Sequence, residues 1–371
     1  MKQKANGQPA AVPPAGQPKS PWKHRLAVIG VGAAIGVVAL VLSALGNPAN
    51  MGFCIACFLR DIAGACKLHG AGAVQYFRPE IVGIVIGALV MAIAKREYSP
   101  SGGSSPVTRF VIGAFVMVGA LMFLGCPLRM MLRIGGGDLN ALIGLVGFAA
   151  GIFVGTLWLR GGFSLRRAYA QSKPEGIIFP ALLTLGLVLS LVFPQLFAAT
   201  EAGGGPGALH AAVWISLIGG LVVGALCQRT RFCTVAAGRD SIMFRDYGML
   251  LGFAALIAVS IIGNLILGKF HLSMKDQPIA HTDWLWNLLG MALVGWGSVY
   301  LGGCPLRQLV LAGEGNSDSA VTVLGMVAGA ALSHNLSLAS SAKGPTPNGM
   351  IAVVIGFVVF LIIGLVNREE V

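Results

Sequence analysis

Twice in this chain a thiol and a guanidinium stand within one helical turn of each other, as Gly125-Cys126-Pro127-Leu128-Arg129 and as Gly303-Cys304-Pro305-Leu306-Arg307. That combination makes a site for a soft anion. Arginine offers a planar fork of donors to oxyanion oxygens, and a thiol donates a weak S–H hydrogen bond to a soft atom. A proline at the first turn of a short helix loses no needed amide donor, so Cys126 and Cys304 are expected near N-caps, where free amides attract anions. Two further cysteines repeat in a second pattern. Phe53-Cys54 is followed by Arg60-Asp61, and Phe232-Cys233 by Arg239-Asp240 at the same spacing. Cys54 and Cys233 are expected at a constriction of a path, with each Arg-Asp pair stapling its segment.

Other residues carry weaker chemistry. Cys54 and Cys57 form a lone CxxC whose counterpart after Cys233 is Ala236, and no second pair stands at zinc-site spacing, so no metal and no cofactor are expected. Cys57, Arg60, Arg239 and Glu314 are accessory candidates. Gly135-Gly136-Gly137 and Gly313-Glu314-Gly315 read as returns from short helices. Glu314 is unmatched in the first motif set and could pair with an arginine or carry a coupling proton. The duplicated motifs also have a packing reading, in which Gly permits close approach, Pro sets a kink and Cys is a small buried hydrophobe.

The elements that position these residues follow from duplication and composition. The motif sets recur roughly 180 residues apart, and the match continues from Gly137, Asn140, Gly147, Ala150 and Gly151 to Gly315, Asp318, Gly325, Ala328 and Gly329. The chain is 56% hydrophobic and 11% charged, far below the roughly 25% charged residues of a soluble domain. This predicts an all-α polytopic membrane protein. Ten spans are expected, at 26–45, 78–95, 108–125, 139–159, 177–198, 210–227, 247–268, 284–302, 319–339 and 348–367. The Cys54 and Cys233 segments are too short to span and read as re-entrant short helices; the Gly-Cys-Pro segments read as broken helices. Residues 1–25 form a Pro- and Lys-rich tail expected to be disordered, 26–200 a first transmembrane repeat and 201–371 a second. Lysine and arginine concentrate in the loops on the N-terminal side, which places both termini in the cytoplasm. Five spans per copy, an odd number, make this a 5+5 inverted repeat, an architecture of transporters. The net charge of +12, with arginines inside the repeated motifs, favours an anionic ligand, because arginine in a membrane is costly without a purpose.

At GFCIACFLRD, GCPLRMMLRIGGGDLNA, RFCTVAAGRD and GGCPLRQLVLAGEGNSDSAVTVLG the chain resembles the YeeE/YedE family of sulfur-handling membrane proteins, and more narrowly its YedE-type branch, to which a selenium-transport role is assigned. The resemblance implies an hourglass-shaped inner-membrane protein in which loops enter from both faces and cysteines along a central path touch the substrate. It implies that role for Cys54, Cys126, Cys233 and Cys304. The chain departs from thiosulfate-uptake members in the arginine beside each central thiol. The expected function is therefore transport of a small selenium- or sulfur-containing anion, with Arg129 and Arg307 attracting it. Thiosulfate uptake and a membrane thiol oxidoreductase or sulfurtransferase using Cys54–Cys57 are the competing expectations. Beyond the anion and the lipid bilayer, a cytoplasmic sulfur or selenium carrier protein is a candidate partner. Neither enzyme activity nor nucleic-acid binding is expected.

Overall fold

The computed structural model describes residues 21–368 of the chain. It is built from helices, with one two-residue strand pair joining Ser101–Gly102 to Tyr169–Ala170. The first seven helices are α1 (Pro21–Ala44), α2 (Ile55–Ala65), α3 (Pro79–Ala94), α4 (Pro106–Phe123), α5 (Pro127–Gly135), α6 (Leu139–Arg160) and α7 (Glu175–Val192). The next seven are α8 (Val213–Thr230), α9 (Thr234–Phe244), α10 (Gly248–Ile266), α11 (Trp284–Tyr300), α12 (Pro305–Gly313), α13 (Ser317–Asn335) and α14 (Pro347–Val366). The ten long helices fall on the ten expected spans. The four short ones, α2, α5, α9 and α12, are the cysteine motifs.

One of the ten spans stands apart in composition, and one expectation needs correction. Nine segments among the described residues are apolar and long enough to cross a membrane. The tenth, 319–339, forms α13 but is too polar to count among them. Its buried Asp318, Ser319, Thr322 and Ser333 are tolerated because α13 packs on α4, α2 and α12. The tail also ends earlier than 25: Pro21–Arg25 already lie in α1, where Pro21 suits a first turn that has no amide partner to lose. Residues 1–20 lie outside the described part.

The duplication is visible in the packing. Helix α6 lies along α11, and its counterpart α13 lies along α4; α3 lies along α8, and α1 along α10. The short helices follow the same rule, with α5 on α10 and α12 on α3, and with α2 on α13 and α9 on α6. Each of these contacts joins the first copy to the second, so the copies are interleaved. Glycine makes the approach possible. A Cβ on Gly147 or Gly151 of α6 would strike the carbonyls of Leu288 and Ala292 on α11, and one on Gly325 or Gly329 of α13 would strike those of Phe110 and Ala114 on α4. Small residues four apart let backbones meet where lipid offers no hydrophobic drive.

Helices α7 and α14 break the correspondence. Helix α14 packs on α4 and α11, where Phe360 meets Phe115, Trp296 and Tyr300. Helix α7 stands instead against α3, α12 and α13.

The glycine seams should therefore be intolerant. Gly151→Leu and Gly329→Leu are expected to destabilise the fold by at least the ~1–3 kcal/mol of an overpacked core. Gly70→Leu, where an added Cβ meets nothing within 4 Å, should be neutral. Thermal unfolding of detergent-purified variants, followed by size-exclusion chromatography, measures the difference.

Candidate functional site

The broken helices have a local cause. Helix α4 ends at Leu124 in the left-handed region (φ 61°), and the Gly125 amide bonds back to the Ala120 carbonyl at 2.7 Å. Cys126 is then extended, as a residue before proline must be, and Pro127 opens α5. The second copy repeats this with Gly302 at φ 77°, an extended Cys304 and Pro305 opening α12. The glycine before each cysteine makes room for the arginine: an added Cβ on Gly125 would stand 3.0 Å from Arg129 Cδ, and one on Gly303 2.9 Å from Arg307 Cγ.

Cys126 and Cys304 are N-caps, as the prolines predict, and so are Cys54 on α2 and Cys233 on α9. Nothing in the sequence marks the last two, since cysteine is not a usual capping residue. The four N-termini meet as two pairs. The Cys54 and Cys126 thiols are direct neighbours; the Ile55 amide donates to Cys126 Sγ at 3.3 Å, and the Cys57 amide to Cys54 Sγ at 3.3 Å. In the other copy Cys233 and Cys304 are neighbours, and the Cys304 amide donates to Cys233 Sγ at 3.4 Å. All four are buried and free of disulfides, as are Cys57 and Cys227; Cys66 alone is exposed. Among the described residues no group of three or more His, Cys, Asp or Glu is placed to hold a metal ion.

The arginines are not equivalent. Arg129 is fully buried, and no carboxylate among the described residues pairs with it. Its guanidinium donates to main-chain carbonyls, those of Leu124, Pro278 (3.3 Å), Ile279 (3.2 Å) and Asn50 (3.4 Å), and reaches Cys57 Sγ at 3.8 Å. Arg133, one turn on, pairs with Asp138 at 2.7 Å and caps the Phe123 carbonyl at 2.7 Å. In the second copy Gln308 does the capping, donating to the Leu301 and Gly303 carbonyls at 3.1 and 3.3 Å. Arg307 is left to pair with Glu314 at 3.0 Å. Arg60 bonds Asp61 at 2.7 Å, and Asp61 also takes Arg78 Nε at 2.8 Å. Arg78, which sequence reasoning missed, ties α2 to the carbonyls of Pro206 and Leu209. Arg239 and Asp240 form the simpler pair at 2.8 Å.

Two loops close over the short helices, one at each break. The segment between α10 and α11 covers the end of α5. His271 and Ser273 amides bond the Gly136 and Gly137 carbonyls at 2.9 and 3.1 Å, and Asn140 donates to the Met274 carbonyl at 2.7 Å. His281 Nε2 must be protonated, because its partner is the Met122 carbonyl at 2.8 Å. Burial pushes that imidazole below its usual pKa, so it is neutral at pH 7. The segment between α3 and α4 covers the end of α12, where Asp318 accepts from the Gly103 and Ser104 amides and the Ser104 hydroxyl at 2.8, 3.1 and 2.5 Å. The bridges Asp138–Ser273 and Ser101–Asn316 are counterparts. The thiols are thus sealed. A groove of about 520 Å³ between α7 and α13 is lined by Cys66 but by none of the four duplicated cysteines.

The fold and this site define a polytopic membrane protein whose helix breaks are held inside the bundle. Residues 229–366 match the family described as Sulphur transport. The chain is 30% identical over 99 residues to the Thiosulfate transporter TsuA of Escherichia coli (strain K12), a stretch that is 27% of this chain and 28% of that one. It is 29% identical over 104 residues to the Thiosulfate transporter TsuA of Spirochaeta thermophila, 28% of this chain and 31% of that one. The matched stretch spans under a third of these relatives' length. The family match falls in the second copy, which contains Cys233, Arg239, Cys304, Arg307 and Glu314, and it agrees with the resemblance to the YeeE/YedE family read from the motifs.

Two measurements check the site. A membrane-impermeant maleimide should label one thiol per native chain, Cys66, and all seven after denaturation. Asp138→Ala should cost about 3–5 kcal/mol by leaving Arg133 buried and unpaired. Arg25→Ala, which breaks an exposed pair with Asp246, should cost under ~1 kcal/mol by the same unfolding assay.

Proposed function

We propose that this protein carries a small selenium- or sulfur-containing anion across the inner membrane, with both termini cytoplasmic and its two repeats inverted. The observation that carries the reading is the meeting of cysteine-capped helix N-termini in two pairs, Cys54 with Cys126 and Cys233 with Cys304, the first beside the buried Arg129, which has no carboxylate partner among the described residues. Free amides and an uncompensated guanidinium favour an anion, and thiols suit a soft atom. The concentration of positive charge in loops on the N-terminal side supports the orientation. On that orientation the end of α5 faces outward and the end of α12 faces the cytoplasm. The substrate passes Cys54, Cys126, Cys304 and Cys233 in that order, drawn by Arg129 and released past Arg307. Arg60, Arg78 and Arg239 hold the re-entrant helices. Because the thiols are sealed at both ends, passage requires the covering segments to move. A cytoplasmic sulfur or selenium carrier would receive the product.

The relatives' names concern thiosulfate. The arginine beside each central thiol, with its fork of oxygen-directed donors, equally suits a selenium oxyanion. Uptake of labelled selenite and labelled thiosulfate into proteoliposomes separates them. Wild type should accumulate one of them, and Cys126→Ala/Cys304→Ala should lose at least tenfold in initial rate while keeping its elution profile. Unchanged uptake in that double variant would overturn the thiol-lined path.

A further inference from the structure

The transport reading leaves the driving force open, and the difference between the two copies bears on it. Arg129 and Arg307 hold equivalent places, yet their surroundings differ in two linked ways. In the first copy the arginine itself caps the carbonyl of Leu124 at the helix break, and the position equivalent to Glu314 is Gly136, which has no side chain to offer. In the second copy Gln308 caps the break, and among the described residues the one hydrogen bond of the Arg307 side chain goes to Glu314. Arg307 is therefore free of the structural duty that Arg129 performs, and it carries a resident carboxylate in the place where a transported anion would sit.

The pair is largely buried, with side-chain exposures of 12% for Arg307 and 21% for Glu314. The charged groups acting on Glu314 are Arg307 on its own helix, Arg231 at the end of α8 and Glu97 beyond the end of α3. Glu97 is itself engaged by Gln228 at 2.9 Å and Arg229 at 3.3 Å. An anion arriving at Arg307 must take the guanidinium from Glu314. The displaced carboxylate would then lie beside a second anion and near Glu97 in a poorly hydrated site. Like charges so placed cannot all stay ionised, and the carboxyl takes a proton.

We propose that Glu314 couples the transport to protons, binding one as the anion displaces it from Arg307 and losing it when the anion leaves and the ion pair reforms. No bond in the anion breaks. The proton enters on a Glu314 carboxylate oxygen and departs from it, so one proton accompanies each anion. This rests on the transporter reading above, and it predicts about tenfold accumulation of the anion per pH unit at zero membrane potential.

The test uses proteoliposomes of the full chain, voltage-clamped with potassium and valinomycin and loaded with a trapped pH dye. Thiosulfate is the first probe, because near neutral pH it carries no proton of its own; selenite follows, against protein-free liposomes. Wild type should acidify the lumen as the anion enters, and a twofold or greater rise in uptake should follow an inward proton gradient. Glu314→Gln should still pass the anion down its gradient, with no acidification and no response to the proton gradient. Anion entry into wild-type vesicles without acidification would overturn the proposal whatever the variant does. So would acidification that persists in Glu314→Gln, which would point to Glu314 exchanging Arg307 for Arg231 while staying ionised. No entry of either anion with well-folded wild type would instead overturn the transport reading and the coupling with it.

Discussion

A helix interrupted inside a membrane exposes carbonyls at the end it leaves and amides at the end it resumes, and hydrocarbon can satisfy neither. This chain carries the problem four times, at the N-termini of α2, α5, α9 and α12, and its distinctive residues are answers to it. The abandoned carbonyls are taken by long donors from the following short helix: Arg129 and Arg133 for the end of α4, Gln308 for the segment after α11. Some of the resuming amides are taken by sulfur, with Cys54, Cys126 and Cys233 each accepting one. Sulfur is a weak acceptor, so the amides remain poorly satisfied. A place where backbone donors converge on weak acceptors is also a place where a better acceptor, an anion, gains by entering.

Holding these breaks away from lipid is the work of the long helices. The glycine pairs on α6 and α13 let each lie backbone against backbone on a helix of the other copy, and the short helices sit within the frame that results. Glycine abundance alone did not say whether such contacts fall within one chain or between chains; the seams at Gly147–Gly151 and Gly325–Gly329 are internal. Each short helix packs on a helix of the other copy, so the breaks of both copies sit in one shared frame.

Much of this was legible in the sequence, and the part that was not has a physical reason. Apolar run length fixed the spans to within a few residues, because bilayer thickness leaves little choice. Proline fixed the N-caps at Cys126 and Cys304, because its ring excludes the preceding turn. Cys54 and Cys233 have no such neighbour, so their capping could be found only in the fold. Arg78 was invisible because it lies outside any duplicated motif, across a loop from its partner Asp61. Repeat symmetry does not extend to the surroundings of the central arginines. Identical Cys-Pro-Leu-Arg strings imply identical partners, and only the positions of Gln308 and of the carbonyls around Arg129 reveal that the partners differ. The partnerships of α7 and α14, which share a place in the repeat but not in space, were equally beyond motif matching.

The two covering segments show how duplication can yield two differently fastened closures from one design. Each lies across a helix break by the same bridge, Ser273 to Asp138 and Ser101 to Asn316, yet they are fastened differently. Asp318 holds its segment with a carboxylate that accepts two amides and a hydroxyl and lies near Arg109. Hydrogen bonds to a charged group contribute ~1.5–3 kcal/mol each, against ~0.5–1.5 for neutral ones. The opposite segment is fastened by the neutral side chains of Asn140, Gln277 and His281, Gln277 reaching the Gly137 carbonyl only at 3.5 Å, and it holds Ile279 at φ 52°, a region costly for a β-branched residue. Its charged fastening is Arg129, through the Pro278 and Ile279 carbonyls, and those are the bonds an anion on Arg129 would compete for. On the transport reading, an anion there weakens the looser cover directly. Among the described residues Arg307 makes no such contact with the tighter cover, so on that reading the two ends answer to different events.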